Sequence, residues 1–308
     1  MNETRFAVFG AGFWARYQLN AWKEIAGTRC VAICDPSRER AETLARELGI
    51  PEVFTDADEV FRRGGFAFVD IISAVESHAP LVHLSARHRV PVICQKPMAP
   101  DLATARGMVD ACRAADVPFL IHENFRWQAP IRAAAQVLRS GKLGRLFRAR
   151  LDFLSGFPVF DNQPALKTLP RFILTDLGVH VLDVARFLFG EATSLYASTR
   201  KLHADIKGED VATVVTETAS GMTVVTELAY AGTPLERECF PQTLLFVEGD
   251  KGSLELGPNY ELRVTTAEGT VSRRHAPPHH AWVNPAYSVV QSSIVPCNAN
   301  LLQGVTGG

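Results

Sequence analysis

Three stretches of the chain carry residue types that could do chemistry. In the segment from Ile173 to Asp183, three polar residues, Asp176, His180 and Asp183, stand four and then three positions apart among Leu, Val and Ile. On a helix turning about 100° per residue, such side chains fall within roughly 60° of one another, so a narrow polar stripe runs along an apolar helix. Ordinary surface helices have a broad polar face, so a stripe this narrow faces either a cleft or a buried network. A buried histidine satisfied by Asp176 for purely structural reasons fits the same stripe. Gly178, inside the helix, disfavours it by about 1 kcal/mol and points to a close approach by another group.

The second stretch is Cys94-Gln95-Lys96-Pro97, at the end of a β-branched run. Ligands of open α/β sheets sit at such strand ends, and a lysine held beside a proline there could steady a developing oxyanion. A solvated surface lysine is the plain alternative. The third is Gly10-Ala11-Gly12-Phe13-Trp14-Ala15, which follows the first strand and opens a helix. The first glycine permits a tight turn, the second lets backbone approach a pyrophosphate, and the small Ala15 allows close helix–strand packing. Asp35 closes the second strand, where a carboxylate accepts hydrogen bonds from ribose hydroxyls and repels a 2′-phosphate. That favours NAD over NADP, although Arg38 and Arg40 nearby do not exclude NADP; a mere helix cap before Pro36 is the structural reading of Asp35.

These residues need a scaffold, and the hydrophobic pattern supplies one. Strands are expected at residues 6–9, 30–34, 53–54, 68–72, 91–94 and 119–122, alternating with helices at 14–25, 38–48, 58–63, 79–87 and 103–116. That alternation specifies a doubly wound parallel sheet, a Rossmann domain over residues 1–125. Residues 126–308 read as an α+β domain for substrate and oligomerisation. It has helices at 131–139 and 173–189, and strands at 147–154, 211–217, 222–229, 244–248, 253–256 and 261–265 joined by short Gly-bearing turns. The second sheet should be open and largely antiparallel, with an exposed face suited to another copy.

With 308 residues, 47% of them hydrophobic, and a formal net charge of −1, disorder and a nucleic-acid partner are both disfavoured. There is no apolar run of membrane-spanning length and no signal-like leader, so the expected location is the cytoplasm. Cys30, Cys34, Cys94, Cys112, Cys239 and Cys297 lack metal or redox spacing and read as small buried hydrophobes. His275, His279 and His280 have no acidic or cysteine partner at ligand spacing, so no metal is expected. Trp127 and Trp282 read as packing or, alternatively, as sugar-pocket walls.

Taken together, Gly10-x-Gly12, Gln95-Lys96-Pro97 and Asp176-x-Gly178-x-His180-x-x-Asp183 resemble the Gfo/Idh/MocA family of NAD(P)-dependent oxidoreductases. Asn124-Phe125-Arg126 with Pro130, the turn Ser140 to Gly144, and Val247-Glu248-Gly249 before Gly252 extend the likeness nearly end to end. The resemblance implies hydride transfer between a nicotinamide and a CH–OH or carbonyl group of a sugar, cyclitol or related polyhydroxy compound, in a homodimer or homotetramer. It implies that Lys96, Asp176 and His180 form the catalytic group at the domain cleft. Gly10, Gly12, Phe13, Trp14, Asp35, Ser73, His78, Gln95 and Lys96 would hold the cofactor, with Asn124 and Arg126 beside the substrate.

Three departures accompany it. Gln95 replaces the family's usual glutamate, so either Lys96 loses its proton more easily or another carboxylate substitutes. Ser73-Ala74-Val75 stands where many members have Thr-Pro-Asn. The family also usually continues with more helix after the segment matching Asn300 to Gly304, and without it apolar surface would lack its cover. Two other readings stay open: a redox-assisted eliminase or glycosidase that keeps its NAD bound, and a non-catalytic dinucleotide sensor.

Overall fold

The computed structural model describes residues 3–230 and 242–307, which leaves Cys239 outside the described residues. Two compact units emerge. The first comprises residues 1–123 and 294–308, the second residues 124–293. The end of the chain thus belongs to the first unit. Its helix, Ile294–Thr306, packs on the helix Phe13–Lys23 and the strand Phe119–His122. Gly304 makes that return possible: a Cβ there would lie 2.6 Å from a Leu120 methyl carbon. An apolar helix at a chain end carries no pattern saying which core it joins, so this return was not legible.

The first unit is a six-stranded parallel sheet. In chain order its elements are β1 Thr4–Phe9, α1 Phe13–Lys23, β2 Thr28–Cys34, α2 Arg38–Leu48, β3 Glu52–Phe54, α3 Ala57–Arg63, β4 Phe68–Ile71, α4 Val75–Arg87, β5 Val92–Gln95, α5 Leu102–Ala114 and β6 Phe119–His122. The strand order is β3-β2-β1-β4-β5-β6, so the winding reverses between β1 and β4. Parallel strands covered on both faces read as continuous apolar runs, and β1 shows why. Ala7 and Phe9 enter one buried cluster with Val69, Ile71, Val92 and Met108. Phe6, on the other face, stacks on Phe68 and tilts against Trp22 at centroid distances of 5.0 and 5.1 Å.

The second unit carries α6 Ala129–Arg139 and an eight-stranded sheet. Its strands are β7 Leu146–Leu154, β8 Ala192–Arg200, β9 Val211–Thr218, β10 Thr223–Ala229, β11 Leu244–Gly249, β12 Gly252–Leu256, β13 Glu261–Thr266 and β14 Gly269–Arg274. Their order is β14-β13-β12-β11-β7-β10-β9-β8, antiparallel except where β10 runs parallel to β7. Ala149, Leu151 and Phe153 of β7 are buried beneath the helices while Arg148, Arg150 and Leu154 on the alternate face are exposed. The edge strands β8 and β14 were not expected from the sequence. Both are almost wholly exposed along their length, so neither shows the in–out alternation that marks a half-buried strand.

Candidate active site

The carboxyl ends of β1, β2, β4 and β5 place the nucleotide residues at the point where the winding reverses, the position at which open α/β sheets bind ligands. Gly10 has φ +108°, and a Cβ there would lie 2.5 Å from the Ile72 carbonyl oxygen at the end of β4, so only glycine fits. A Cβ on Gly12 would instead enter open space. Gly12 caps α1 with no side-chain hydrogen bond, so the first amides of that helix point outward without an intrahelical partner. The Trp14 indole N–H is buried without a hydrogen-bond partner at the same helix start, while Phe13 is exposed beside Tyr17. Open space over the glycine, orphan amides and the positive end of a helix dipole fit a pyrophosphate.

Asp35 is buried, and its oxygens accept from three donors. The Ala11 amide reaches Oδ2 at 2.8 Å, and the Ser37 amide and the Arg40 guanidinium reach Oδ1 at 2.8 and 2.9 Å. Burial pushes this carboxyl up, but the two amides and Arg40 outweigh it and hold it below the ordinary carboxylate value. It is therefore an anion tied to the glycine turn, as a ribose acceptor needs to be. Beyond any local capping, one of its bonds reaches back 24 residues to Ala11 and ties the second strand's end to the glycine turn.

At the end of β5, Lys96 joins Pro97 through a cis peptide. Ser73 and His78 come to the same edge. The His78 ring is buried and bridges two carbonyls, its Nε2 3.1 Å from Ser73 O and its Nδ1 3.1 Å from Pro97 O. It braces the loop after β4 against the residue following Lys96, with both ring nitrogens committed to the protein. Gln95 also departs from the expected cofactor contact: it is 6% exposed and turned into the unit, where its amide meets Gln18, His122 and the Lys96 backbone.

In the second unit the expected uniform helix at 173–189 is two helices. Leu174–Gly178 forms a π-helical turn, and the regular α-helix runs Val179–Phe189. Such wide turns recur at functional sites. Here the wide turn breaks the even spacing on which the stripe rested. Gly178 fills its expected role, since a Cβ there would stand 3.3 Å from methyl carbons of both Leu174 and Leu228. His180 is buried and stacked on Phe125. Asp176 is half-buried and close enough to Tyr230 to act on its phenol, which burial first, and then Asp176 and Tyr287, push well up. Asp183, one turn beyond His180 on the same α-helix, forms a bidentate pair with Arg126 through Nε and Nη2. Asn124 is buried, its amide donating to the Val290 carbonyl and the Ser293 hydroxyl at 2.9 Å each. Both residues flanking Phe125 are thus engaged inside the second unit, where they hold the ring on which His180 lies.

Sequence reasoning missed Tyr230, Gln18 and Asp70. A lone tyrosine at a strand end and a single acid inside an apolar strand carry no motif. Asp70 between Val69 and Ile71 was nonetheless a visible anomaly.

A Rossmann sheet with a glycine turn, an acid at the end of its second strand and a strand-end lysine, and a second unit with a buried histidine, fit a nicotinamide-dependent oxidoreductase. Comparisons with known proteins agree. Residues 4–123 match the model of the oxidoreductase family with an NAD-binding Rossmann fold, and residues 131–255 match the GFO/IDH/MocA C-terminal domain. The chain belongs to the Gfo/Idh/MocA family. It is 42% identical over 96% of its length to D-apiose dehydrogenase of Rhizobium rhizogenes, covering 85% of that protein. It is 44% identical over 94% of its length to D-apiose dehydrogenase of Paraburkholderia graminis, covering 77% of that one. The crystal structure of an oxidoreductase from Agrobacterium radiobacter in complex with NAD+, L-tartaric acid and magnesium superposes with a TM-score of 0.96 at 41% identity, over 100% of this chain and 90% of that one. The protein is an NAD-dependent dehydrogenase that acts on CH–OH groups of sugar-like polyhydroxy compounds. These relatives lend nothing to the eliminase or sensor readings.

Proposed function

We propose that the protein oxidises a small branched or cyclic sugar with NAD, D-apiose being the first candidate, and that Lys96, Asp176 and His180 carry the reaction. The supporting observation is the 42–44% identity to two D-apiose dehydrogenases over nearly the whole chain. NAD supplies the hydride acceptor when bound. Gly10, Gly12 and the amides of Phe13 and Trp14 hold its pyrophosphate, and Asp35 accepts from its adenosine ribose.

The chain's own residues handle the substrate oxygen. His180 takes the hydroxyl proton, its ring fixed by Phe125 and oriented by Asp176. The Lys96 ammonium donates to the same oxygen and stabilises the alkoxide character that grows as the C–H bond breaks. The test is NADH absorbance with NAD and a panel of D-apiose, other pentoses, inositols and levoglucosan, with Lys96→Ala beside it. NADH formed from D-apiose and lost in the variant supports the reading. NADH formed only from another class reassigns the substrate, and turnover that survives in the variant removes Lys96 from the chemistry.

The open face of the second sheet supports a homo-oligomer. Phe246, Arg150, Val225, Val215 and Tyr196 lie side by side across β11, β7, β10, β9 and β8, with Tyr196 68% exposed. Light scattering on the parent and on Tyr196→Arg tests it; a parent that runs as a monomer rules the interface out.

A further inference from the structure

Beneath Lys96 the first unit buries a run of polar side chains that neither the nucleotide motif nor a surface lysine requires. Gln18 on α1, Asp70 on β4, His122 on β6 and Asn298 on the C-terminal helix are each 0% exposed. Gln95 joins them to Lys96.

The direction of each hydrogen bond follows from one end. The Lys96 backbone N–H can only donate, and it does so to Gln95 Oε1 at 2.9 Å. Gln95 Nε2 is then the donor to Gln18 Oε1 at 2.7 Å and to His122 Nδ1 at 3.2 Å. His122 accepts on Nδ1, so its proton sits on Nε2 and is donated to Asn298 Oδ1 at 2.9 Å, while Asn298 Nδ2 donates to the Gln18 carbonyl at 3.3 Å. Gln18, its oxygen taken, turns Nε2 onto both oxygens of Asp70 at 2.9 Å, and the Trp22 indole N–H adds a donor to Oδ2 at 2.7 Å. Reversing any one amide sets donor against donor or oxygen against oxygen among side chains that are fully buried.

We propose that Gln18 and Asp70 are positioning residues for Lys96: the relay Asp70–Gln18–Gln95 fixes the peptide that carries the lysine, with its acidic residue at position 70 instead of position 95. This rests on Lys96 acting in the reaction as proposed above. It also accounts for a glutamine before the lysine. A glutamate at 95 has no hydrogen for Gln18 Oε1 or His122 Nδ1. Gln18 would have to turn its Nε2 to the new carboxylate and press its oxygen onto Asp70, a conflict wherever that carboxyl is ionised, so the assay is run above about pH 7.5. Asparagine at 70 removes that conflict, because its amide donates to the turned Gln18 oxygen and the relay runs in reverse.

The experiment compares parent, Gln95→Glu, Gln95→Glu/Asp70→Asn and Lys96→Met on the panel substrate that yields NADH. It measures kcat, the Kd for NAD by protein fluorescence, and the melting temperature without NAD. Gln95→Glu should lower kcat on the order of tenfold or more through misplacement of the lysine, with NAD affinity kept. The double variant should recover most of both kcat and melting temperature. Parent-like kcat in Gln95→Glu, or a double variant no better than the single, overturns the relay. If Gln95→Glu does not fold, the double variant decides: folded and active supports the relay, unfolded or inactive overturns it. Turnover that persists in Lys96→Met would instead defeat the catalytic reading of Lys96, an outcome separate from the relay's own failure.

Discussion

The His180 imidazole lies flat on the Phe125 ring, with centroids 4.0 Å apart and planes 8° from parallel. Stacking at this distance fixes the plane of the ring while its edge, with both nitrogens, points away from the Phe125 face. The clamp is anchored on either side, by Asn124 on Val290 and Ser293 and by Arg126 on Asp183. Phe125→Leu keeps an apolar side chain but removes the flat surface. The expected outcome is a fall in kcat of about tenfold with the Kd for NAD unchanged, since orientation of a proton-transfer group is lost while the nucleotide residues are untouched. Steady-state kinetics beside a fluorescence titration checks it, and an unaltered kcat would show that the stacking does not orient the ring.

Removing the imidazole is the stronger form of that experiment. His180→Ala should cost on the order of 10²–10⁴ in kcat, the range usual for a lost general acid–base group, and leave NAD binding intact. A parallel loss of NAD affinity and melting temperature would mean that the buried ring is a structural element of the second unit only.

The contrast between the two halves of the site shows what was legible. Gly10, Gly12 and Asp35 were readable because backbone geometry dictates their types: a positive φ against Ile72, an open helix start, an anion at a strand end. The alternating runs gave the parallel sheet for the same local reason. The stripe on 176, 180 and 183 was readable only as a set of residue types. Its geometry assumed 100° per residue, which holds from His180 to Asp183, but the π-turn at Leu174–Gly178 changes the angle to Asp176, and the Arg126 partner of Asp183 was not foreseen. Both depend on tertiary packing, against Leu228 and against the loop carrying Phe125. The relay under Lys96 was hidden further, because its members lie up to 280 positions apart, as Gln18 and Asn298 do.

Cofactor choice turns on Asp35 and Arg40, 2.9 Å apart. In the parent the carboxylate holds the guanidinium, and in the proposed role of Asp35 it faces the adenosine ribose. Asp35→Ser removes hydrogen bonds to a charged acceptor worth about 1.5–3 kcal/mol, so the Kd for NAD should rise about ten- to a hundredfold. It also releases Arg40 toward a 2′-phosphate, so the ratio of kcat/KM for NAD to that for NADP should fall. An unchanged ratio would place cofactor discrimination elsewhere.

Asp70 gives the pH dependence of stability a definite sign. Burial pushes its carboxyl up to about 7, against the opposing pull of the Trp22 and Gln18 donors. The Cys30 and Cys94 thiols beside it are themselves pushed up, mainly by burial, and stay neutral over the relevant range. In the unfolded chain the Asp70 carboxyl titrates near the ordinary value of about 3.9. Between these two values the folded protein keeps a proton that the unfolded chain has released. Stability from this group is therefore fully present below about pH 4 and is lost as pH rises to about 7, a change on the order of 4 kcal/mol. Asp70→Asn has no such proton. Urea denaturation at about pH 5 and about pH 7.5 should show the parent losing more stability across the interval than the variant. The variant's absolute stability will differ too, because Gln18 must turn round to meet the asparagine amide. The difference in slope isolates the carboxyl, and parallel pH curves for the two proteins would show that Asp70 is already ionised throughout.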